Sequence, residues 1–206
     1  MLAAKSIINT VMRRRAAQLA RDLMPLLPKE GRVLDIGSGT GHNVAALRSL
    51  RPDLEYTECD AVDIHSVGDG PRLMQDGRLP FDDGLFDICL LQFVLQYPDD
   101  PAEIVREARR VTAVGGKLIV RQTISRGRGG RLILTAHEHL WGPIAYQVSR
   151  RLGAAAGGAL SYLTPRRMFS QEDLVALTQR PGGQHRVVPC VAILKNACLD
   201  VLLVLE

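Results

Sequence analysis

Asp35, Gly37, Ser38, Gly39 and Gly41 are the residues whose types and spacing point most directly to chemistry. They lie in the run Val33-Leu34-Asp35-Ile36-Gly37-Ser38-Gly39-Thr40-Gly41-His42-Asn43. Glycine accepts φ > 0 and has no Cβ, so a turn built on it lets a ligand come close to the backbone. If the turn opens onto a helix N-terminus, it also offers free N–H groups to a polar or anionic group. The spacing narrows the ligand. A dinucleotide turn needs Gly-x-Gly-x-x-Gly, and counting from Gly37 its last glycine falls on His42. A phosphate-gripping P-loop needs Gly-Lys-Ser/Thr, which does not follow. What stands is an acid followed by Gly-x-Gly-x-Gly, or else a tight strand-to-helix turn with no ligand.

Other polar residues are candidates by position. Asp60 comes about two dozen positions after Gly37. An acid at a strand end suits a ribose, because a carboxylate can accept hydrogen bonds from two neighbouring hydroxyls. Glu58 and Asp63 are rivals, since strand ends read from sequence shift by a few residues. His65, in a loop with Gly68, Gly70 and Pro71, reads as a solvated residue. Asp76-Gly77 is either part of a site or a polar turn in which Asp76 bonds its own backbone. His137-Glu138-His139 raises a metal question, but the protease motif would need histidine where Trp141 stands. On a helix, positions i and i+2 point to nearly opposite sides, so His137 and His139 do not share an ion easily, and no metal is expected.

These residues need elements to hold them. Residues 5–27 read as an amphipathic helix, with Ile8, Val11, Met12, Ala16, Leu19 and Leu23 at helical spacing. Pro28 and Gly31 break the chain before a strand made of Val33, Leu34 and Ile36. A helix begins at Val44, Ala45 and Leu47 and ends before Pro52; strands follow at Leu54–Asp60 and Phe86–Leu91, with Gln92 and Phe93 at the end of the latter. Asp100-Pro101-Ala102-Glu103 is a helix start with a cap, a proline at the first position and an acid placed for a capping box. That helix buries Ile104, Val105, Ala108 and Val111 and ends at Gly115-Gly116, before a strand Lys117–Val120. Ser170-Gln171-Glu172-Asp173 starts another capped helix, running to Pro181-Gly182-Gly183, and residues 186–194 and 197–205 read as two strands across Lys195-Asn196.

A chain of 206 residues fits one α/β domain with a real core. No apolar run reaches the ~20 residues that span a bilayer. Cys59, Cys89, Cys190 and Cys198 have no CxxC spacing, which fits a reduced, cytoplasmic protein. Charge is uneven: residues 121–167 hold eight arginines and one acid, Glu138, for +7, which leaves −3 elsewhere in a chain of net +4. A local field of one sign points to an anionic substrate, a membrane surface or nucleic acid, or else to a solvated face. The first 21 residues carry Lys5, Arg13, Arg14, Arg15 and Arg21 without an acid, a pattern shared by transit peptides and membrane-surface helices.

The acid and its glycine turn resemble the first motif of class I S-adenosylmethionine-dependent methyltransferases, of the small-molecule type. The resemblance is strong over residues 33–120 and general over 165–206. It implies a Rossmann-like three-layer sandwich, with a mostly parallel seven-stranded sheet and an antiparallel last strand. It implies a single domain over residues 1–206, whose N-terminal helix 5–27 lies over the site mouth and whose insertion at about 121–163 forms part of the substrate pocket. It also implies the cofactor, S-adenosylmethionine, lying across the carboxyl ends of the first, second and fourth strands. Asp35, Gly37, Ser38, Gly39 and Gly41 then hold its amino-acid part, Asp60 its ribose, and Asp76 and Gly77 its adenine, with Gln92 at the fourth strand's end. In Asp76-Gly77-Arg78-Leu79-Pro80-Phe81 the family pattern of an acid, a small residue and Leu-Pro-Phe is met.

The resemblance has gaps. The Asn/Asp-Pro-Pro-Tyr/Phe motif of nucleic-acid amino methyltransferases is absent at Leu91-Gln92-Phe93-Val94, which argues against nucleic acid as the acceptor. Gln96 and Tyr97 stand where many small-molecule relatives carry paired histidines. His137 and His139 are the candidate bases, although a packing or surface role suits a lone histidine as well. The expectation is methyl transfer to O, N or C of a small acceptor, neutral or anionic, in the cytoplasm, with peripheral membrane contact as an option. The competing readings are an RNA or protein methyltransferase that uses the arginine-rich segment, and a non-catalytic binding protein on the same fold.

Overall fold

The structure, a computed structural model, describes residues 2–125, 169–178, 185–189 and 198–206. Helix α1 (Leu2–Leu23) runs into a single 3-10 turn, Met24–Leu26, which the ring of Pro25 favours over further α-helix. The strands β1 (Arg32–Ile36), β2 (Glu55–Asp60), β3 (Arg72–Leu73), β4 (Phe86–Gln92), β5 (Thr112–Ser125), β6 (His185–Pro189) and β7 (Cys198–Leu205) form one seven-stranded sheet. Its order is β3-β2-β1-β4-β5-β7-β6, and only β7 runs against its neighbours. This is the expected fold. The remaining helices are α2 (His42–Leu50), α3 (Pro101–Val111) and α4 (Gln171–Thr178).

Side chains alternate across a strand, and the two faces bury separate cores. Leu34, Ile36, Cys89, Leu91, Leu118 and Val120 pack with Ile104, Val105 and Ala108 of α3 and Leu174 of α4. Val33, Ile88, Leu90 and Ile119 pack with Ala20 and Leu23 of α1 and Leu47 of α2. Two residues further along each strand, that second face turns polar: Asp35 follows Val33, Glu58 follows Tyr56, Gln92 follows Leu90 and Arg121 follows Ile119. The registers Asp35↔Glu58 and Gln92↔Arg121 set these groups side by side at the carboxyl edge.

Two local boundaries differ from the sequence expectation. Helix α3 stops at Val111, not at Gly115-Gly116. The backbone N–H of Thr112 closes the helix on the Ala108 and Arg109 carbonyls, and Thr112 already pairs with Phe86 of β4. Residues 113–116 then lie in a register shift before Lys117 pairs with Ile88, so the two glycines belong to an irregular stretch of strand. At the start of α3, Asp100 caps as expected by accepting the Ala102 N–H at 2.8 Å. The true reciprocal box is at α4: Ser170 Oγ accepts the Asp173 N–H, and Asp173 Oδ2 accepts the Ser170 N–H. Residues 179–184 lie outside the described residues, as does most of the expected insertion; its first five residues continue β5 to Ser125.

Candidate functional site

The glycine turn ties two strand ends together. The N–H groups of Gly37 and Ser38 both donate to the Cys59 carbonyl, at 2.8 and 3.2 Å. Gly37, Gly39 and Gly41 have φ of 74°, 57° and 81°, in the left-handed region that favours glycine. They are not equivalent. A Cβ on Gly37 would meet Val94 at 2.5 Å, and one on Gly41 would meet the Val67 carbonyl oxygen at 2.4 Å, whereas one on Gly39 would meet nothing within 4 Å. Gly39 therefore faces open space. Gly41 is the N-cap of α2 and supplies no side-chain cap.

Beneath this turn Asp35 is 1% exposed, and neither of its carboxyl oxygens has a hydrogen-bond partner. Burial, and then the charge of Glu58, push its carboxyl up to about 8; the Gln92 amide pulls the other way without reaching hydrogen-bond geometry. Ser38 Oγ and both amide atoms of Gln92 are likewise buried without partners. Such groups are costly to leave unpaired. Asp60 is better served: Oδ2 accepts the Gly39 N–H at 2.7 Å and Oδ1 accepts the Ala61 N–H at 2.7 Å. Oδ1 also accepts the Val62 N–H at 3.4 Å, so of about four acceptor positions on the carboxylate the one left for a ligand is on Oδ2.

Residues 34–120 match a family model described as a methyltransferase domain. An uncharacterized methyltransferase of Mycobacterium sp. (strain KMS) is 35% identical over 108 residues, which is 48% of this chain and 41% of that protein. A demethylmenaquinone methyltransferase of Thermotoga maritima is 29% identical over 120 residues, 55% of this chain and 50% of that protein. The chain thus spans half or less of the length of these curated relatives. Among solved structures, CalO1, a methyltransferase in calicheamicin biosynthesis in its S-adenosylhomocysteine-bound form, aligns with a TM-score of 0.59. It is 18% identical, over 95% of this chain and 54% of that one, a likeness of fold.

Residues 34–120 thus match a methyltransferase domain, and the fold is that of the methyltransferase structure the chain aligns with. The cofactor of this family is S-adenosylmethionine, which carries an ammonium, a carboxylate, two ribose hydroxyls and an adenine amine. The methyltransferase turn fits it. It offers an unpartnered buried acid, an unpartnered serine hydroxyl, a glycine with open space in front and a strand-end carboxylate with one spare acceptor position.

The structure brings Asp35, Gly37, Ser38, Gly39, Gly41, Asp60 and Gln92 to one edge. Asp76 and Gly77 lie further out, as the exposed centre of a two-residue turn. Both have positive φ (48° and 78°), and Gln75 and Arg78 exchange backbone hydrogen bonds across them. The turn packs beside α3, with the Glu103 carboxylate 3.7 Å from where a Gly77 Cβ would be. The rivals of Asp60 have other attachments. Glu58 Oε1 lies 3.0 Å from His65 Nε2, and Asp63 Oδ1 accepts the His65 N–H at 3.0 Å. His65 is therefore no solvated loop residue; its side chain is 5% exposed. His137 and His139 lie outside the described residues.

Other residues at this edge carried no sequence signal. Phe93 has φ of 60°, its N–H donates to the Arg121 carbonyl at 2.7 Å, and the Arg15 guanidinium of α1 lies 4.8 Å above its ring. Arg121 is fully buried and pairs with Asp22 of α1 at 3.2 Å, so it belongs to the sheet and not to an exposed basic face. Gln122 donates to Gln96 Oε1 at 2.6 Å. His42, the first residue of α2, bonds Thr40 Oγ1 through Nδ1; burial, and then the charge of Arg13, hold its imidazole below the usual range. Among the described residues no helix is long and apolar enough to cross a membrane.

Proposed function

We propose that this protein transfers the methyl group of S-adenosylmethionine to O, N or C of a small-molecule acceptor. The observation that carries the reading is the buried, unpartnered carboxyl of Asp35 beneath an open glycine turn. When bound, the cofactor supplies a methyl group already activated by its positively charged sulfur. In the proposed site Asp35 takes the cofactor's ammonium, the unpartnered Ser38 hydroxyl takes part of the carboxylate, and Gly39 leaves room for the amino-acid part. Asp60 takes the ribose hydroxyls, and the Asp76-Gly77 turn takes the adenine edge. The unpartnered Gln92 amide, at the end of β4, is a further polar group for the cofactor.

Holding donor and acceptor in line can supply roughly 7–11 kcal/mol of the barrier in the best cases. A base would add about 10²–10⁴-fold for an oxygen or carbon acceptor, so it is helpful but not required. A small acceptor is favoured by the relative named as a demethylmenaquinone methyltransferase and by the lack of the nucleic-acid motif at Leu91-Gln92-Phe93-Val94. Arg13, Arg14 and Arg15 are exposed on α1, and Arg15 covers Phe93, so an anionic acceptor group would meet opposite charge there. The free, buried thiols of Cys59 and Cys89 suit the cytoplasm. Calorimetric titration with S-adenosylhomocysteine, followed by a labelled-methyl screen of small-molecule extracts, tests the reading. Micromolar binding and label in a small product support it. Label confined to RNA or protein would move the acceptor to a macromolecule, and a folded protein that binds nothing would overturn it.

A further inference from the structure

Parallel strands are ordinarily joined by a crossover of a dozen or more residues, usually helical. Here β2 and β3 are parallel neighbours joined by residues 61–71, and those residues contain no helix. The loop must be held in place by other means. Three contacts do so. His65 Nε2 meets Glu58 Oε1 at 3.0 Å, with both side chains under a tenth exposed. The Ser66 N–H donates to the Thr40 carbonyl at 3.2 Å, and Ser66 Oγ donates to the same oxygen at 3.3 Å. The Val67 carbonyl and the His65 ring stand against Gly41, at 2.4 and 2.8 Å from where a Cβ would be. The loop thus lies directly on the glycine turn, and Gly41 is the point of contact.

We propose that Glu58 and His65 are positioning residues: their buried pair clamps loop 61–71 onto the glycine turn and so fixes the shape of the cofactor site. Glu58 is suited to this by its register. It stands opposite Asp35 in the sheet, and its partner His65 leaves Asp35 as the acid without a partner. Neither residue touches the cofactor in this account. The inference rests on the glycine turn being the cofactor site.

The test uses the full chain with Glu58→Gln, His65→Gln and the double variant. Hydrogen exchange is read without cofactor, and S-adenosylhomocysteine affinity is read by calorimetry. Each single variant should speed exchange in residues 61–71 at least about tenfold and weaken binding about tenfold, while β1 and β4 keep their protection. The double variant should lose no more than either single one, as coupled partners do. If Glu58→Gln fails to fold, His65→Gln carries the test. Unchanged exchange and affinity, additive losses, or faster exchange throughout the sheet would overturn the clamp. A wild-type chain that binds no S-adenosylhomocysteine would instead overturn the site assignment, while the exchange arm still reports on the clamp.

Discussion

At the amino edge of the sheet, Arg110 is enclosed by acceptors: Glu107, Asp83 and the carbonyls of Leu79 and Phe81. Glu107 in turn accepts the Leu79 N–H, and Arg110 beside it holds its carboxyl below the usual range. Arg51 at the same edge bonds Asp53 and the carbonyls of Pro28 and Lys29. At the carboxyl edge, some four residues along the strands, Asp35 is buried with no hydrogen bond and its carboxyl is pushed the opposite way. One sheet therefore treats its acids in two ways. Where only folding is at stake, Arg51 and Arg110 and the acids beside them are paired. Where a ligand is to be held, Asp35, Ser38 Oγ and the Gln92 amide are left without hydrogen-bond partners, and the stability they forgo is returned on binding.

Substitutions that separate affinity from stability would break or sharpen this contrast. The largest effect is expected from Asp35→Asn. Removing the acid meant for the ammonium should weaken S-adenosylhomocysteine binding on the order of 100-fold, as loss of one member of a buried charge pair does. The same change should stabilise the ligand-free protein at alkaline pH. The sign follows from the raised carboxyl: the folded state binds the proton more tightly than the unfolded one, so this contribution is fully present below about pH 4 and is lost as pH rises to about 8. In that window wild-type stability should fall with pH by up to about 1.4 kcal/mol per unit from this group. Chemical denaturation between pH 5 and 9 should show a flatter profile for Asp35→Asn.

Arg110→Ala should do the reverse. It strands Glu107 and two carbonyls, so denaturation should show a loss of about 2–3 kcal/mol, with cofactor affinity unchanged. Asp60→Ala should weaken binding about tenfold, as removal of hydrogen bonds to a ligand does, and leave the fold intact. Unchanged affinity would remove Asp60 from the ribose role. The smallest effect is a matched pair. Gly39 and Gly115 have φ of 57° and 78°, and a Cβ on either would meet nothing within 4 Å. Alanine at either should cost about 1 kcal/mol of stability from backbone strain. Only Gly39→Ala, which puts a methyl into the proposed cradle, should also reduce affinity. Equal affinities in the two variants would erase the distinction between the edges.

Much of this was legible in the chain because it is local. The glycine turn, the strand before it and the Asp100 cap each lie within a few consecutive residues, where periodicity and capping rules act. The parallel sheet followed from the family resemblance. The strand-end position of Asp60 was legible too; its ligand role is the part still to be measured. What sequence could not show depends on contacts between distant residues. His65 looks solvated until Glu58 is placed over it by the β2–β3 connection; Gly68, Gly70 and Pro71 signal the loop but not what it packs on. Arg121 looks like one of a basic run until β5 directs it toward Asp22, 99 residues earlier. The end of α3 was misplaced because Gly115-Gly116 is a strong helix stop, but strand pairing at Thr112 acts first.

The most direct test of the account is calorimetric titration of wild type and Asp35→Asn with S-adenosylhomocysteine near pH 7, in two buffers of different ionisation enthalpy. Burial pushes the Asp35 carboxyl up to about 8, so it should carry its proton in the free protein at that pH and give it up on pairing with the ammonium. The expected result is micromolar binding with release of close to one proton by wild type, and much weaker binding with no such release by Asp35→Asn. Equal affinity and equal proton release in the two proteins would contradict the claim that this edge is left unpaired for the cofactor.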